Sequence, residues 1–300
     1  MLLALKIKLA LAVAAGFASP LAVMPWLTNS TPTEISGAQQ PFVEMQPGTL
    51  SYRAAGDFTH AGRQAAAPLL SVRFAKPFAI MQNQVSSADY QSCVDDVGCR
   101  PLNGGATVDA DRPVVQVSWH DAEAYANWLS RKTGEHYRLP TDEEWAFAAG
   151  TRFKDDGVPV DDRDPSKRWI ARYERESNRE TPATDSKPRP FGGFGQNEHG
   201  LLDVAGNVWE WTSTCFVRTV LDDAGQALSR SPNCGVRVAE GQHRSYVTDF
   251  IRDARAGGCV AGVPPSNLGF RLVRESKPWR LRLALQAVID GVFSIPAWKP

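Results

Sequence analysis

The sequence predicts a loop-rich fold in which short strands and capped helices are mixed, and argues against a helical bundle. Three observations lead there. Glycine and proline are frequent, at 24 and 21 of 300 residues, and are spread along the chain. Two segments, 118–134 and 141–150, carry complete helix start and stop signals. Elsewhere, short runs alternate apolar and polar residues in the manner of strands. Apolar residues make up 43%, with nine tryptophans, which suits a sizeable core in one large domain or two small ones. Lys plus Arg equals Asp plus Glu at 33 each, so charge gives no reason to expect a nucleic-acid partner.

Taken in order, residues 1–27 place Lys6 and Lys8 ahead of an apolar stretch, Leu9–Leu27. That is the layout of an export signal, although no clear A-x-A cleavage site follows. The stretch is also close to the roughly 20 residues of a membrane span. A cleaved signal peptide and a retained N-terminal anchor both remain open, with a buried core helix as the plain alternative. With the lysines held inside, either one expects the rest of the chain to be exported: periplasmic, soluble or anchored to the inner membrane. Residues 28–40 are polar and aperiodic and read as a linker. "FVEMQPGTLSYRA" reads as strand, Pro47-Gly48 turn and strand. "LLSVRFAKPFAIMQNQVSSADYQSCV" gives strand material and then a helix from about Ser87, capped by Ser86 or Ser87.

Ser118 and Asp121 resemble a capping box, and Trp119, Ala122, Tyr125, Ala126 and Leu129 share one face up to Gly134. Thr141 and Glu144 repeat the device, with Trp145 and Ala148 facing inward and Gly150 as the stop. Residues 151–199 read as a long polar excursion with some helix near Trp169–Arg175. "NLGFRLVRE", 267–275, reads as a closing strand. The tail, 276–300, contains an amphipathic pattern at Leu281, Leu285, Val288 and Val292. Packing on its own domain is the plain reading of that tail; contact with a membrane surface or a partner is the alternative.

Five cysteines are present. Export and spacing favour the pairs Cys93–Cys99 and Cys215–Cys234, the second bracketing a polar excursion, and leave Cys259 odd. Burial of some of them as free thiols is the alternative. "LLDVAGNVWEWTS", 201–213, alternates Trp209, Glu210 and Trp211, so strand geometry sends both indoles to one face and Glu210 to the other. Asp203 and Glu210 flank the Gly206-Asn207 turn with backbone carbonyls between them, a pattern suited to a hard cation.

Four motifs, "QVSWHDAEAYANWLS", "RLPTDEEWAFAAG", "GLLDVAGNVWEWTS" and "SNLGFRLV", occur in order at fitting distances. Together they resemble the formylglycine-generating enzyme (sulfatase-modifying factor) family over about residues 41–275. The resemblance implies an irregular α+β fold related to C-type lectins. It also implies one structural Ca2+, held by the carboxylates of Asp203 and Glu210 and the backbone carbonyls of Gly206 and Val208. A second family calcium site falls in "WIARYERESNRETPATD", where no ligand set matches.

The family's chemistry needs two cysteines around a segment like His243-Arg244-Ser245-Tyr246, where they bind copper. Here those positions are Gln242 and Val247, and no cysteine occurs from Gly235 to Gly258. Copper(I) requires soft thiolates, so no copper is expected, nor formylglycine generation by the family's mechanism. The five histidines, His60, His120, His136, His199 and His243, are scattered, and His120 reads as a surface residue. What remains in the family's cleft region is polar, and includes Tyr246, Asp249, Arg252 and Asp253. Any catalysis is expected at Cys259, Arg255, His243 and Arg244, with surface salt bridges as the alternative for the Arg/Asp pairs.

Relatives of this kind include a periplasmic protein that oxidises a siderophore precursor in pyoverdine maturation and a group that accompanies copper nitrite reductase. The resemblance thus implies an exported maturation or accessory factor, with an oxidoreductase as one form of it, and a protein, peptide or siderophore-like substrate. The rival is a non-catalytic, lectin-like module that binds a protein or peptide. Membrane contact is expected only through the N-terminal segment or the tail.

Overall fold

The computed structural model describes residues 41–102, 108–154, 187–253, 260–261 and 267–275. The helix expected near Trp169–Arg175, the tail pattern, the N-terminal segment, Arg255 and Cys259 lie outside the described residues.

The helices follow their local signals. Helix α1 spans Ser87–Asp95, and Ser86 is its cap, accepting from the Asp89 N–H at 2.9 Å. Helix α2, Trp119–Thr133, has the full capping box: Ser118 accepts from Asp121 N–H, and Asp121 accepts from Ser118 N–H at 2.8 Å. Gly134 ends it at φ +79°, a conformation that penalises a Cβ. Helix α3, Asp142–Ala149, is closed by Thr141 and Glu144 in the same way. Such caps satisfy amides that the first turn cannot pair internally. Among the described residues, no helix is long and apolar enough to cross a membrane.

Among the described residues, thirteen strands, all short except β8 and β9, complete the fold. One sheet runs β1 (Phe42–Met45), β6 (Phe78–Met81), β13 (Val273–Glu275) and β7 (His136–Arg138), with antiparallel neighbours. Strands β2 (Gly48–Arg53) and β5 (Leu69–Phe74) form a separate antiparallel pair. The largest sheet runs β11 (Val260–Ala261), β10 (Ser245–Thr248), β9 (Ala227–Glu240), β8 (Trp209–Leu221), β3 (Asp57–His60) and β4 (Arg63–Gln64). Strand β12 (Leu268–Gly269) pairs with β8 in parallel.

Two expectations change. The stretch after Cys215 is not a polar excursion: it forms the outer part of a long β8–β9 hairpin. Its turn is set by Asp222, whose Oδ1 accepts from the N–H groups of Ala224 and Gln226 at 2.9 and 2.8 Å. The outer half of β9, Ala227–Gly235, is exposed on both faces, which removes the two-residue apolar period there, and in β8 one of the two buried outer positions is the polar Thr219. The closing strand is not continuous either. It breaks into β12 and β13 because Arg271 between them turns into the core.

The two favoured cysteine pairs are joined, with Cα–Cα distances of 5.3 Å for Cys93–Cys99 and 4.5 Å for Cys215–Cys234. Two apolar clusters fill the interior. One gathers Trp209, Trp211, Tyr125, Phe270 and Leu272, and the other gathers Trp145, Ile80, Leu201 and Val273.

Candidate functional site

Strand alternation separates the Trp-x-Trp side chains as expected. Trp209 donates to the His243 carbonyl at 3.0 Å and Trp211 to the Val117 carbonyl at 2.9 Å, both inside one apolar cluster. Glu210 points the other way and is fully buried. Its cross-strand partner is Glu240, so two carboxylates share one face of the β8–β9 sheet. Helix α3 packs against β2, β8 and β9 on that face. Its three-residue spacing sets Asp142 beside Glu240 and Trp145 beside Glu210.

The Glu210 end is closed by Arg271. Oε1 accepts from Gln84 Nε2 at 2.7 Å and Arg271 Nη2 at 2.8 Å; Oε2 accepts from Trp145 Nε1 at 2.8 Å and Arg271 Nε at 2.6 Å. Arg271 spends its remaining donors on the carbonyls of Met81, Gln82 and Leu202. Asp203 is occupied separately, accepting from the N–H groups of Gly192 and Phe194 at 2.7 Å each. Gly206 is required there, because a Cβ would meet the Phe194 side chain at 2.8 Å. Asn207 completes the turn by exchanging 2.8 Å hydrogen bonds with the backbone of Arg189.

This arrangement does not fit the calcium ion that the family resemblance implies. Glu210 is neutralised by a guanidinium, and Asp203 is saturated by amides, so the two carboxylates do not converge on a shared cation. The Gly206 N–H closes the turn on the Asp203 carbonyl at 3.0 Å, while Asp203 and Asn207 grip residues 189–194. Among the described residues, no group of three or more His, Cys, Asp or Glu side chains is placed to hold a metal.

The Glu240 end is a second buried polar cluster, and it includes one of the expected catalytic residues. Arg244, at the turn between β9 and β10, donates from Nε to Glu240 Oε1 at 2.7 Å and from Nη1 to the Arg53 carbonyl at 3.1 Å. Its Nη2 lies 3.3 Å from Asp142 Oδ2, and its guanidinium sits over the Tyr52 ring at 5.0 Å. The Tyr52 hydroxyl donates to Asp142 Oδ2. Tyr246 receives the Gly56 N–H on its hydroxyl at 2.8 Å. Tyr52, Asp142 and Glu240 are each at most 1% exposed.

Two acids and one arginine leave one acid in excess. Asp142 Oδ1 is buried and receives no hydrogen bond from an N–H or hydroxyl among the described residues. A proton on Glu240 satisfies it. The electrostatics agree: burial, then repulsion by Asp142, push the Glu240 carboxyl well above the usual range, although Arg244 opposes this. Burial also disfavours the charged form of Arg244, but Asp142 and Glu240 more than compensate and raise it. Burial foremost, then Asp142, raises the Tyr52 phenol, which stays neutral. The cluster can therefore hold a proton between two carboxyl groups beside a fixed cation.

The other expected residues are placed differently. His243 is buried with its ring edge-on to Trp209 at 5.1 Å, and its Nδ1 lies within 3.2 Å of Ser245 Oγ. The same Nδ1 lies 3.1 Å from the Arg244 carbonyl. Gly241 permits this packing, since a Cβ would meet the Trp209 ring at 2.7 Å. His120 is indeed a surface residue, its side chain 59% exposed and 3.1 Å from Asp249. Arg252 clamps Asp121 through two hydrogen bonds of 2.7 and 2.8 Å and ties the segment after β10 to the start of α2. Tyr52, Asp142 and Glu240 were not legible as site residues. The only hints were the carboxylates next to the Thr141 cap and the His243-Arg244 segment.

Nor does the site fit copper. Val247 is fully buried in β10 and offers only hydrocarbon, while Gln242 offers a hard amide oxygen.

A family model described as sulfatase-modifying factor enzyme 1-like domain matches residues 30–276. The chain is 30% identical to the formylglycine-generating enzyme of Streptomyces coelicolor over 238 residues, 75% of this chain and 73% of that protein. It is 34% identical to the inactive C-alpha-formylglycine-generating enzyme 2 of Mus musculus over 172 residues, 53% of this chain and 48% of that protein, about half its length. The structure of PvdO from Pseudomonas aeruginosa aligns over 78% of this chain and 94% of that chain, at 23% identity and a TM-score of 0.48. Matched by the family model over most of its length, the chain belongs to the sulfatase-modifying factor family, with the formylglycine-generating-enzyme type of α+β fold, as a divergent member without the cysteine pair.

Proposed function

We propose that this protein is an exported accessory or maturation factor of its family that does not generate formylglycine. One observation carries the reading: the positions that align with the family's copper-binding cysteines hold Gln242 and a fully buried Val247. A thiolate pair is what the family's reaction needs, and no side chain at either position supplies one. The match to a mammalian relative named as inactive supports the same reading. Export is supported by two disulfides, which persist in oxidising compartments. The substrate class is a peptide, protein or siderophore-like molecule, and an oxidoreductase role stays within this proposal.

A second reading, a non-catalytic module that binds a protein or peptide, is favoured by the burial of Tyr52, Asp142 and Glu240, which shelters the acid cluster from an incoming substrate.

The test is conversion of a sulfatase-type cysteine peptide, followed by mass spectrometry, with and without added copper. The purified protein is expected to leave the cysteine unchanged under both conditions, while an active family member converts it. Formation of the aldehyde by this chain would overturn the proposal.

A further inference from the structure

The two disulfides differ in their surroundings. Cys93 is fully buried and Cys99 is 9% exposed, at the end of α1. Cys234 is exposed on the outer part of β9, whereas Cys215 is half-buried. The β8–β9 register shifts on both sides of Cys215, so the ladder is interrupted there. Arg237 fills that interruption. Its Nη1 donates to the Ser213 carbonyl at 2.8 Å and lies 3.2 Å from Cys215 Sγ. The guanidinium is stacked over Trp119 at 3.8 Å, and Trp119 is fixed by its own 3.0 Å bond to the Thr212 carbonyl. Arg237 Nε is buried and has no acceptor among the described residues. The charges of Asp249 and Glu123 act on Arg237, and Asp249 is itself engaged by His120. A cation is thus held rigidly against one sulfur of an otherwise accessible bridge.

Thiol–disulfide exchange depends on which sulfur is reached and on how stable the leaving thiolate is. A neighbouring guanidinium stabilises a thiolate. We propose that Cys215–Cys234 is a thiol–disulfide exchange site, at which an incoming thiolate attacks Cys234 Sγ and Cys215 leaves as a thiolate against Arg237. In the first step a sulfur–sulfur bond forms between the incoming sulfur and Cys234, and the Cys215–Cys234 bond breaks with its electron pair going to Cys215. A second thiolate then attacks the incoming sulfur, freeing Cys234, which takes up a proton. Two thiols become one disulfide, and the protein's bridge is reduced by two electrons. The partner is a reduced thiol small enough, or exposed enough, to reach the outer hairpin.

The experiment uses the full chain carrying Cys259→Ser, so that no fifth cysteine can shuffle the bonds. Reduced glutathione is added under native conditions, the reaction is quenched with N-ethylmaleimide, and peptides are mapped by mass spectrometry. The expected product carries glutathione on Cys234 and maleimide on Cys215, with Cys93–Cys99 intact. Arg237→Gln is expected to slow opening about tenfold, since the leaving thiolate loses its cation. Arg237→Lys, which keeps the charge, is expected to retain most of the rate. Glutathione on Cys215, or opening no faster than at Cys93–Cys99, overturns the proposal. An Arg237→Gln rate equal to wild type does the same, by leaving exposure alone as the cause. Should Arg237→Gln fail to fold, the position of the adduct on the parent chain and the Arg237→Lys rate decide.

Discussion

Replacing Glu210 by alanine is expected to destabilise the domain by about 3–5 kcal/mol, the usual cost of stranding one partner of a buried ion pair. Arg271 would keep its charge at 0% exposure, and the Trp145 indole and Gln84 amide would lose their acceptor. Against a typical total of about 5–15 kcal/mol, that loss removes a large share of the domain's stability. Urea unfolding followed by tryptophan fluorescence gives the number, because Trp145 and Trp211 lie in the two clusters that must separate. Changing both partners, Glu210→Met with Arg271→Met, is expected to recover part of the loss, since no charge is then stranded. Recovery will be incomplete because the carbonyls of Met81, Gln82 and Leu202 also depend on Arg271. An alanine variant that unfolds at the wild-type urea concentration would show that the pair is not what holds this face together.

The second large effect is a pH dependence with an unusual sign for a carboxyl group. Glu240 is held protonated in the folded chain by burial and by Asp142, whereas in the unfolded chain it ionises in the ordinary range. The folded state then binds more protons. Its contribution is complete below the ordinary carboxylate range and is lost as pH rises toward the raised folded value. One such proton gives a slope of up to about 1.4 kcal/mol per pH unit. Glu240→Gln keeps a hydrogen-bond donor toward Asp142 but cannot ionise. Its unfolding free energy is expected to vary less from pH 5 to 8 than that of the parent, with its relative stability improving toward the alkaline end. Parallel profiles would place the proton elsewhere.

Local chemistry made the helices legible. Ser118, Thr141, Gly134 and Gly150 act within a few residues of themselves, and the structure uses each as the sequence suggests. The opposite facing of Glu210 and its flanking tryptophans is equally local. The cysteine pairs could be favoured because short spacing and a shared compartment constrain them. What could not be read was the identity of partners across long separations. Arg271 looks like any residue of a strand in "NLGFRLV", and only the fold shows that it replaces a cation at Glu210. Tyr52, Asp142 and Glu240 come from three separate segments, and nothing within any one of them marks a shared proton. The outer β8–β9 hairpin is hidden for a different reason: β9 buries nothing from Ala227 to Gly235, and β8 buries the polar Thr219 in alternation with the exposed Val220.

Arg271 also has a consequence for the order in which the chain can fold. It ties residues 81, 82, 202 and 210 together, yet it is made after all of them. Until it is present, Glu210 has no counter-ion and the strands that flank it have no common bridge. Such distant pairings raise the contact order and slow the final step of folding. A growing chain of this kind remains open for most of its synthesis. The price is a long interval with apolar strands uncovered, so the protein should depend on chaperones until residue 271 arrives.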